Sequence, residues 1–251
     1  ARSSWKATKI RIAFMSTRKA KEQRPKQKPA DQLEAGRAEF MAGNFDMARE
    51  IWMSLAEEGD AEAQAWIGSL YANGDGVEID DGAAFAWYVK SAEGGNVQAQ
   101  SNVGAAYAMG NGVKQDHEAA VGWFERAAKN GDAHGQFNLA VLLSSGTGVA
   151  KDLAKAAEWY RAAAEGGHYP SQARLGQMYA TGEGVEKDRV QAFLWLSLAA
   201  QHGIGSALNA LDGIVKHMSS EEKSEALNLF DLWRGKTAGA VGPSRIEPLP
   251  G

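Results

Sequence analysis

The 251-residue sequence predicts an all-α fold, a right-handed superhelical α-solenoid of about twelve helices in six antiparallel pairs. The first observation behind this prediction is a tryptophan every 36 residues, and the second is a glycine with the same spacing. They define four units, 61–96, 97–132, 133–168 and 169–204. A period of this length indicates stacked units that bury their apolar faces only against neighbours. The two series are Trp87, Trp123, Trp159 and Trp195, and Gly59, Gly95, Gly131, Gly167 and Gly203.

The first helix of each unit has glutamine near its start and a small residue in its middle. A glycine inside a helix costs roughly 1 kcal/mol relative to alanine, so its recurrence predicts the close approach of a neighbouring helix. Tyrosine or leucine follows three residues later on the same face. These positions are Gln64, Gln100, Gln136 and Gln172; Gly68, Gly104, Ala140 and Gly176; and Tyr71, Tyr107, Leu143 and Tyr179.

A double-glycine turn ends the first helix, and an aspartate precedes the second. Glycine adopts positive φ without a Cβ clash and therefore suits a helix C-cap. The aspartate is placed to accept hydrogen bonds from free N–H groups at the start of the second helix. In that helix the tryptophan and the aromatic or apolar residue after it, at 87–88, 123–124, 159–160 and 195–196, are predicted to anchor the core, with small residues opposite them. The turn positions are Gly74 and Gly76, Gly110 and Gly112, Gly146 and Gly148, and Gly182 and Gly184, followed by Asp80, Asp116, Asp152 and Asp188.

The full pattern is A-x-A-Q-x-x-L-G-x-x-Y-x-x-G-x-G-V-x-x-D-x-x-x-A-x-x-W-Y-x-x-A-A-x-x-G, and it resembles the Sel1-like repeat, a longer-turn relative of the tetratricopeptide repeat. The resemblance covers residues 61–204. It implies a solenoid fold and a non-enzymatic scaffold or adaptor, of bacterial type, that binds other proteins. Relatives of this kind act in signalling, envelope regulation and host interaction.

The flanking segments are less regular, as the terminal units of a solenoid are. Residues 31–60 resemble a tetratricopeptide unit and are predicted to form an N-terminal cap. Residues 205–234 are predicted to form C-terminal capping helices, the last of which begins at Ser219 or Ser220 and ends near Trp233. The tail, 235–251, is rich in Gly and Pro and is predicted to be flexible.

Residues 1–30 form a basic arm that contains ten Lys and Arg residues and one Glu, which gives it a net charge of +9. The remaining chain has 17 basic and 30 acidic residues, which makes it -13 and the whole chain -4. The arm is interpreted as a solvated tail, a targeting peptide, or a segment that contacts an acidic partner protein, a membrane surface, the acidic solenoid itself or another polyanion. Nucleic acid is not the expected partner. The candidate contact residues of the arm are Arg2, Lys6, Lys9, Arg11, Arg18 and Lys19.

Several function classes find no support in the sequence. The absence of cysteine excludes disulfides, thiolate metal sites and a cysteine nucleophile. The five histidines lack the spacing of metal ligands, and His168 and His202 are expected at the surface, in turns between repeats. The G-x-G turns end helices, whereas phosphate-binding loops begin them. We therefore predict no catalytic residue, no metal and no cofactor.

First-helix positions outside the repeat pattern are the candidate contacts, because the equivalent positions of tetratricopeptide arrays face a concave groove. Aromatic, apolar and arginine side chains there are typical of binding hot spots. Asparagine and arginine add hydrogen bonds to a peptide, although the asparagines equally suit a role in bracing neighbouring repeats. The candidates are Trp66, Asn102, Met109, Phe137, Asn138, Val141, Arg174 and Gln177.

Three functions follow in order of preference. The first is a scaffold whose groove binds a peptide or helix of a partner protein. The second is a structural subunit anchored in a larger assembly by its basic arm. The third is a hydrolase, which requires a cluster of perturbed titratable groups. No apolar run is long enough to span a membrane. The cytoplasm is the expected compartment, with the periplasm as the alternative if a leader has been removed.

Overall fold

The computed structural model describes residues 28–240, with side chains up to Arg234. Within that range the chain forms twelve helices and no strand, so the predicted helical fold is confirmed. No helix among these residues is both long and apolar enough to cross a bilayer. The six basic-arm candidates, from Arg2 to Lys19, lie outside the described residues. The helices are α1 (Pro29–Met41), α2 (Phe45–Glu57), α3 (Ala61–Asn73), α4 (Asp81–Glu93), α5 (Val97–Met109), α6 (His117–Lys129), α7 (Ala133–Ser145), α8 (Leu153–Glu165), α9 (Tyr169–Thr181), α10 (Arg189–Gln201), α11 (Gly205–Val215) and α12 (Ser220–Ala240).

The described chain falls into two compact units, of which the first ends at Trp52. Its core is aromatic. The Phe40 ring lies 5.3 Å from the Phe45 ring and 5.8 Å from that of Trp52. Gly36 leaves room for the fully buried Trp52 indole, because a methyl group at Gly36 would overlap it. Proline at the first helical position, with φ already fixed, begins α1 at Pro29, so the helix includes the last two residues of the predicted arm, 1–30.

The second unit, from Met53 onward, contains the repeats, each a pair of helices packed through a small residue. A Cβ atom at Gly104 would lie 2.7 Å from the Phe124 ring, and one at Gly176 would lie 2.7 Å from Leu196. The predicted close approach at the mid-helix glycine is therefore confirmed. The residue that fills this space is the one after each tryptophan.

The second residue of each predicted core pair is the anchor, whereas the tryptophan before it is only partly in the core in the first three repeats. Phe124 is 2% exposed, whereas Trp123 is half-buried at the edge of the core, with the Arg126 guanidinium 4.5 Å from its ring centroid. Trp87 is likewise half-buried beneath Lys90. A helix that stacks on neighbours on two sides leaves its tryptophan at the rim, where a cation covers the exposed face.

The helix caps follow the predicted chemistry. Each of the four aspartates before a second helix accepts a hydrogen bond from a backbone N–H in the first helical turn, and each predicted glycine cap is left-handed. Asp60, Asn96 and Asp132 cap first helices in the same way. The repeated glutamines are buried, and each donates its side-chain N–H to the carbonyl oxygen eight residues earlier. They thereby join each first helix to the end of the preceding helix.

The second glycine of the turn carries contacts between repeats. Gly148, with φ of 71°, lies against the backbone of His117, where the second helix of the preceding repeat begins. Gly112 and Gly184 lie equivalently against the backbone at Asp81 and Leu153. The turn therefore both reverses the chain and stacks on its neighbour.

The C-terminal helices both pack on α10, which has apolar residues on all sides. The Trp233 ring lies 5.1 Å from that of Trp195. This contact covers Trp195, which is therefore buried, unlike Trp123. Ser219 and Glu222 form the reciprocal hydrogen bonds of a capping box, so the predicted start of α12 is confirmed. Its predicted end is wrong, because the helix continues beyond residue 234 to Ala240; the first proline that would stop it is Pro243.

Candidate functional site

The surface formed by the outward residues of the first helices α5, α7 and α9, which we name the first-helix face, contains three clefts. Six of the eight contact residues that the sequence suggests line them: Asn102, Met109, Phe137, Val141, Arg174 and Gln177. The other two, Trp66 and Asn138, are half-buried and line none of these three clefts. The helical register therefore gathers most of the candidates on one surface.

The first cleft, of about 440 Å³, lies between α7, α9 and α11. Phe137 forms one wall, Arg174 and Gln177 lie along α9, and Ile204 and Ser206 close the far side. Arg174 is the one charged residue in its lining. This cleft offers an apolar wall beside a guanidinium group.

The second cleft, of about 400 Å³, shares Arg174 and Gln177 with the first. Val141 contributes an exposed apolar side chain, and Lys151 and Glu183 bring one charge of each sign. Together with Arg174 these residues leave one net positive charge. The two clefts thus present one net positive charge beside apolar surfaces of α7 and α9.

The third cleft, of about 160 Å³, lies at the first two repeats. Met109 is 62% exposed, and Asn102 is half-buried beside it on α5. Asp81 is the one charged residue of the lining. The third cleft is therefore negatively charged, whereas the first two clefts are positively charged.

A cluster of histidines lies beside the first cleft, and sequence spacing did not indicate it. The His168 ring is half-buried, 5.3 Å from the His134 ring and 5.0 Å from that of Phe137. Its Nδ1 lies 2.8 Å from Ser171 Oγ. The pKa of His168 is lowered from its ordinary 6.5 to about 4, mainly because burial disfavours the charged ring; His134 contributes to this lowering, and Asp132 opposes it. His168 lies in the predicted turn between repeats, directly before α9, but repeat stacking half-buries its ring, which the sequence did not indicate.

This burial makes the stability of the protein depend on pH. The unfolded chain binds a proton at His168 below about pH 6.5, whereas the folded protein does so only near pH 4. The free energy of unfolding should therefore fall as the pH drops from 6.5 to 4, by about 1–2 kcal/mol after allowance for partial exposure. Urea unfolding of the wild type and of His168→Asn, which places a polar but non-titrating side chain at the same N-cap position, measures this. An equal loss of stability in both proteins would contradict the assignment.

The histidine cluster does not present a nucleophile to solvent. Ser171 is fully buried at the start of α9, so its hydroxyl group has no path to a substrate. His168 occupies the N-cap position that Asp132 holds one repeat earlier, but its side chain accepts no bond from the helix backbone and pairs with the Ser171 hydroxyl group instead. Among the described residues no three His, Asp or Glu side chains are placed to hold a metal ion. The cluster is explained by the packing of consecutive repeats, which brings the rings of His134, Phe137 and His168 together.

Comparisons with known proteins support the repeat. The family model of the Sel1 repeat matches residues 61–96, 97–132, 133–168 and 170–204. A protective antigen of uropathogenic Escherichia coli with an SLR fold is 34% identical, with a TM-score of 0.76 over 85% of this chain and 47% of that one. A Sel1 repeat protein of Oxalobacter formigenes is 30% identical, with a TM-score of 0.70 over 82% of this chain and 84% of that one.

This chain thus spans about half the length of the Escherichia coli antigen. No curated protein sequence matches it. The family model covers more than half of the chain, and the similar structures are themselves repeat solenoids. The chain therefore belongs to the Sel1 repeat family, whose members are generally protein-interaction scaffolds of the adaptor type rather than enzymes.

Proposed function

We propose that the protein is a non-enzymatic scaffold that binds a peptide segment of a partner protein along its first-helix face. The observation that carries this proposal is the position of six candidate contact residues in clefts on consecutive first helices. A peptide lying across α5, α7 and α9 meets an apolar side chain and a hydrogen-bonding group on each helix. Such alternation suits recognition of one chain segment rather than of a small molecule.

The apolar side chains of this face favour the same function. Met109 is 62% exposed and Val141 is 36% exposed, although large apolar side chains of this kind are usually buried in a protein core. Apolar groups that line clefts in this way gain free energy when a partner covers them. Arg174 and Gln177 between them supply polar contacts that fix the position of a bound chain.

The test uses random dodecapeptides displayed on phage as the probe. Peptides selected on the wild type should bind the double variant Met109→Glu, Val141→Glu at least about 10-fold more weakly, because two apolar contacts are replaced by charges. Both positions are on the surface, so thermal melting followed by circular dichroism should show a retained fold. Fluorescence anisotropy measures the dissociation constants.

Ile79→Glu is the matched control, because Ile79 is 68% exposed in a turn outside the three clefts. Peptide affinity should be unchanged in this variant and in a chain that lacks residues 1–27. Equal binding to the wild type and the double variant would contradict the proposal. Binding that depends on residues 1–27 alone would contradict it as well.

A further inference from the structure

Arg174 differs from every other described arginine in having no hydrogen-bond, ion-pair or aromatic-ring partner among the described residues. It is exposed on α9, at the position that Asn138 and Asn102 occupy in the two preceding repeats. Among the side chains described, the other six arginines each contact a carboxylate, a hydroxyl group or an aromatic ring. Those pairs are Arg37 with Glu34, Arg49 with Asp46, Arg126 with Trp123, Arg161 with Tyr179, Arg189 with Glu222, and Arg234 with Phe230.

The surroundings of Arg174 leave its charge uncompensated. It is the one charged residue in the lining of the cleft that Phe137 and Ile204 share, and it lies with Lys151 and Glu183 in the neighbouring cleft. Burial raises the pKa of Tyr160, whereas a hydrogen bond to Ser144 and the positive charge of Arg174 act against that rise. A positive site of this kind is conspicuous on a body whose net charge, from residue 31 onward, is -13.

A guanidinium group binds a carboxylate through two parallel hydrogen bonds, which makes it the best-suited side chain for that ligand group. Taking the proposed function as its basis, we propose that Arg174 receives a carboxylate of the bound peptide, whose neighbouring apolar side chain packs against Phe137 or Val141. The ligand is therefore an acidic peptide segment. Its carboxylate comes from an Asp or Glu side chain or from the C-terminus of the partner.

The charge at the other end of the first-helix face determines which way the acidic peptide lies. Asp81 is the one charged residue lining the cleft that contains Met109, so a carboxylate placed there meets a like charge. An acidic group therefore favours the end at Arg174, and a neutral or basic segment favours the end at Asp81. The peptide binds in one orientation rather than two.

Synthetic N-acetylated octapeptide libraries provide the probe, in three forms. One is amidated at the C-terminus and contains Asp or Glu, one is free of acidic side chains but ends in a free carboxylate, and one has neither group. Affinity selection on the purified full chain, read by mass spectrometry, should enrich one of the first two forms over the third. Which of the two is enriched identifies the source of the carboxylate.

The variants then assign the charge to Arg174. Arg174→Gln should weaken binding of the enriched peptides by about 10-fold or more, and Arg174→Glu should select Lys-containing or Arg-containing peptides instead. Lys114→Gln is the control, because Lys114 is an exposed cation in a turn outside the three clefts and its removal changes the net charge equally. Binding to this variant should equal that of the wild type.

Two results would overturn the assignment in distinguishable ways. If the wild type binds all three libraries equally and Arg174→Gln does not alter affinity, the carboxylate site is refuted while peptide binding by the first-helix face stands. If the wild type binds none of the libraries, the proposed function fails together with the carboxylate site. Arg174 is exposed, so unchanged thermal melting of its variants excludes unfolding as the cause of a lost preference.

Discussion

Replacement of Gly148 by alanine is expected to destabilise the protein by about 3 kcal/mol or more, one of the largest effects for a single methyl group in this chain. Gly148 has φ of 71°, where a Cβ atom is strained, and that atom would also lie 2.5 Å from the backbone carbonyl group of His117. Backbone at the start of α6 cannot move aside without shifting the whole preceding repeat. The methyl group therefore separates two neighbouring repeats.

Gly131 provides the matched control. Its φ of 87° imposes similar strain on alanine, but nothing lies within 4 Å of the added Cβ atom. Gly131→Ala should therefore cost only about 1–2 kcal/mol. Urea unfolding followed by circular dichroism measures both variants. Equal losses would show that Gly148 is needed for its backbone angle alone and not for stacking.

The second large effect is expected in the core of the second repeat. Phe124→Ala should destabilise the protein by about 3–5 kcal/mol, because it empties the space over Gly104 that the ring fills. Trp123→Ala should cost only about 1–2 kcal/mol, although it removes a larger ring, because Trp123 is half-buried beneath Arg126.

The comparison of these two variants by thermal and urea unfolding tests which aromatic residue anchors the repeat. Phe124→Leu is a useful companion, because it retains apolar volume and should recover most of the stability. A greater loss for Trp123→Ala than for Phe124→Ala would contradict the packing described here and restore the tryptophan as the anchor.

The regular part of the fold could be predicted because its signals are local. A left-handed glycine such as Gly146 and a capping carboxylate such as Asp152 act within a few residues of the chain, and each recurs in four units. Gly104 correctly indicated a closely packed neighbour, because a glycine lowers the stability of its own helix and is kept there only if a larger side chain would clash. Because each of these residues recurs at the same position in several repeats, the pattern is not a chance match.

The sequence could not show which of two adjacent aromatic residues faces inward. Trp123 and Phe124 differ by about 100° around the helix axis, and both are apolar, so composition alone does not choose between them. The direction is fixed by Gly104, which leaves space for one ring only. The end of α12 was missed for a related reason, since Ala238 and Ala240 favour a helix even among glycines.

Contacts between repeats were also beyond local patterns. His134 and His168 are 34 residues apart, and they meet because consecutive repeats stack in register. The first-helix face was easier to predict, because the helical period places Phe137 and Val141 on one side of α7 and the 36-residue repeat places Arg174 at the equivalent of Asn138. Arg174 shares a cleft with Glu183 but forms no ion pair with it, and this appears only in the structure.

The most direct test of binding by the first-helix face is the affinity of selected peptides for the Met109→Glu, Val141→Glu double variant, measured beside Ile79→Glu. We expect a loss of about 10-fold or more in the double variant and no change in the control, with both proteins as folded as the wild type. Equal affinity in the wild type and the double variant would show that this face is not where the protein meets its partner.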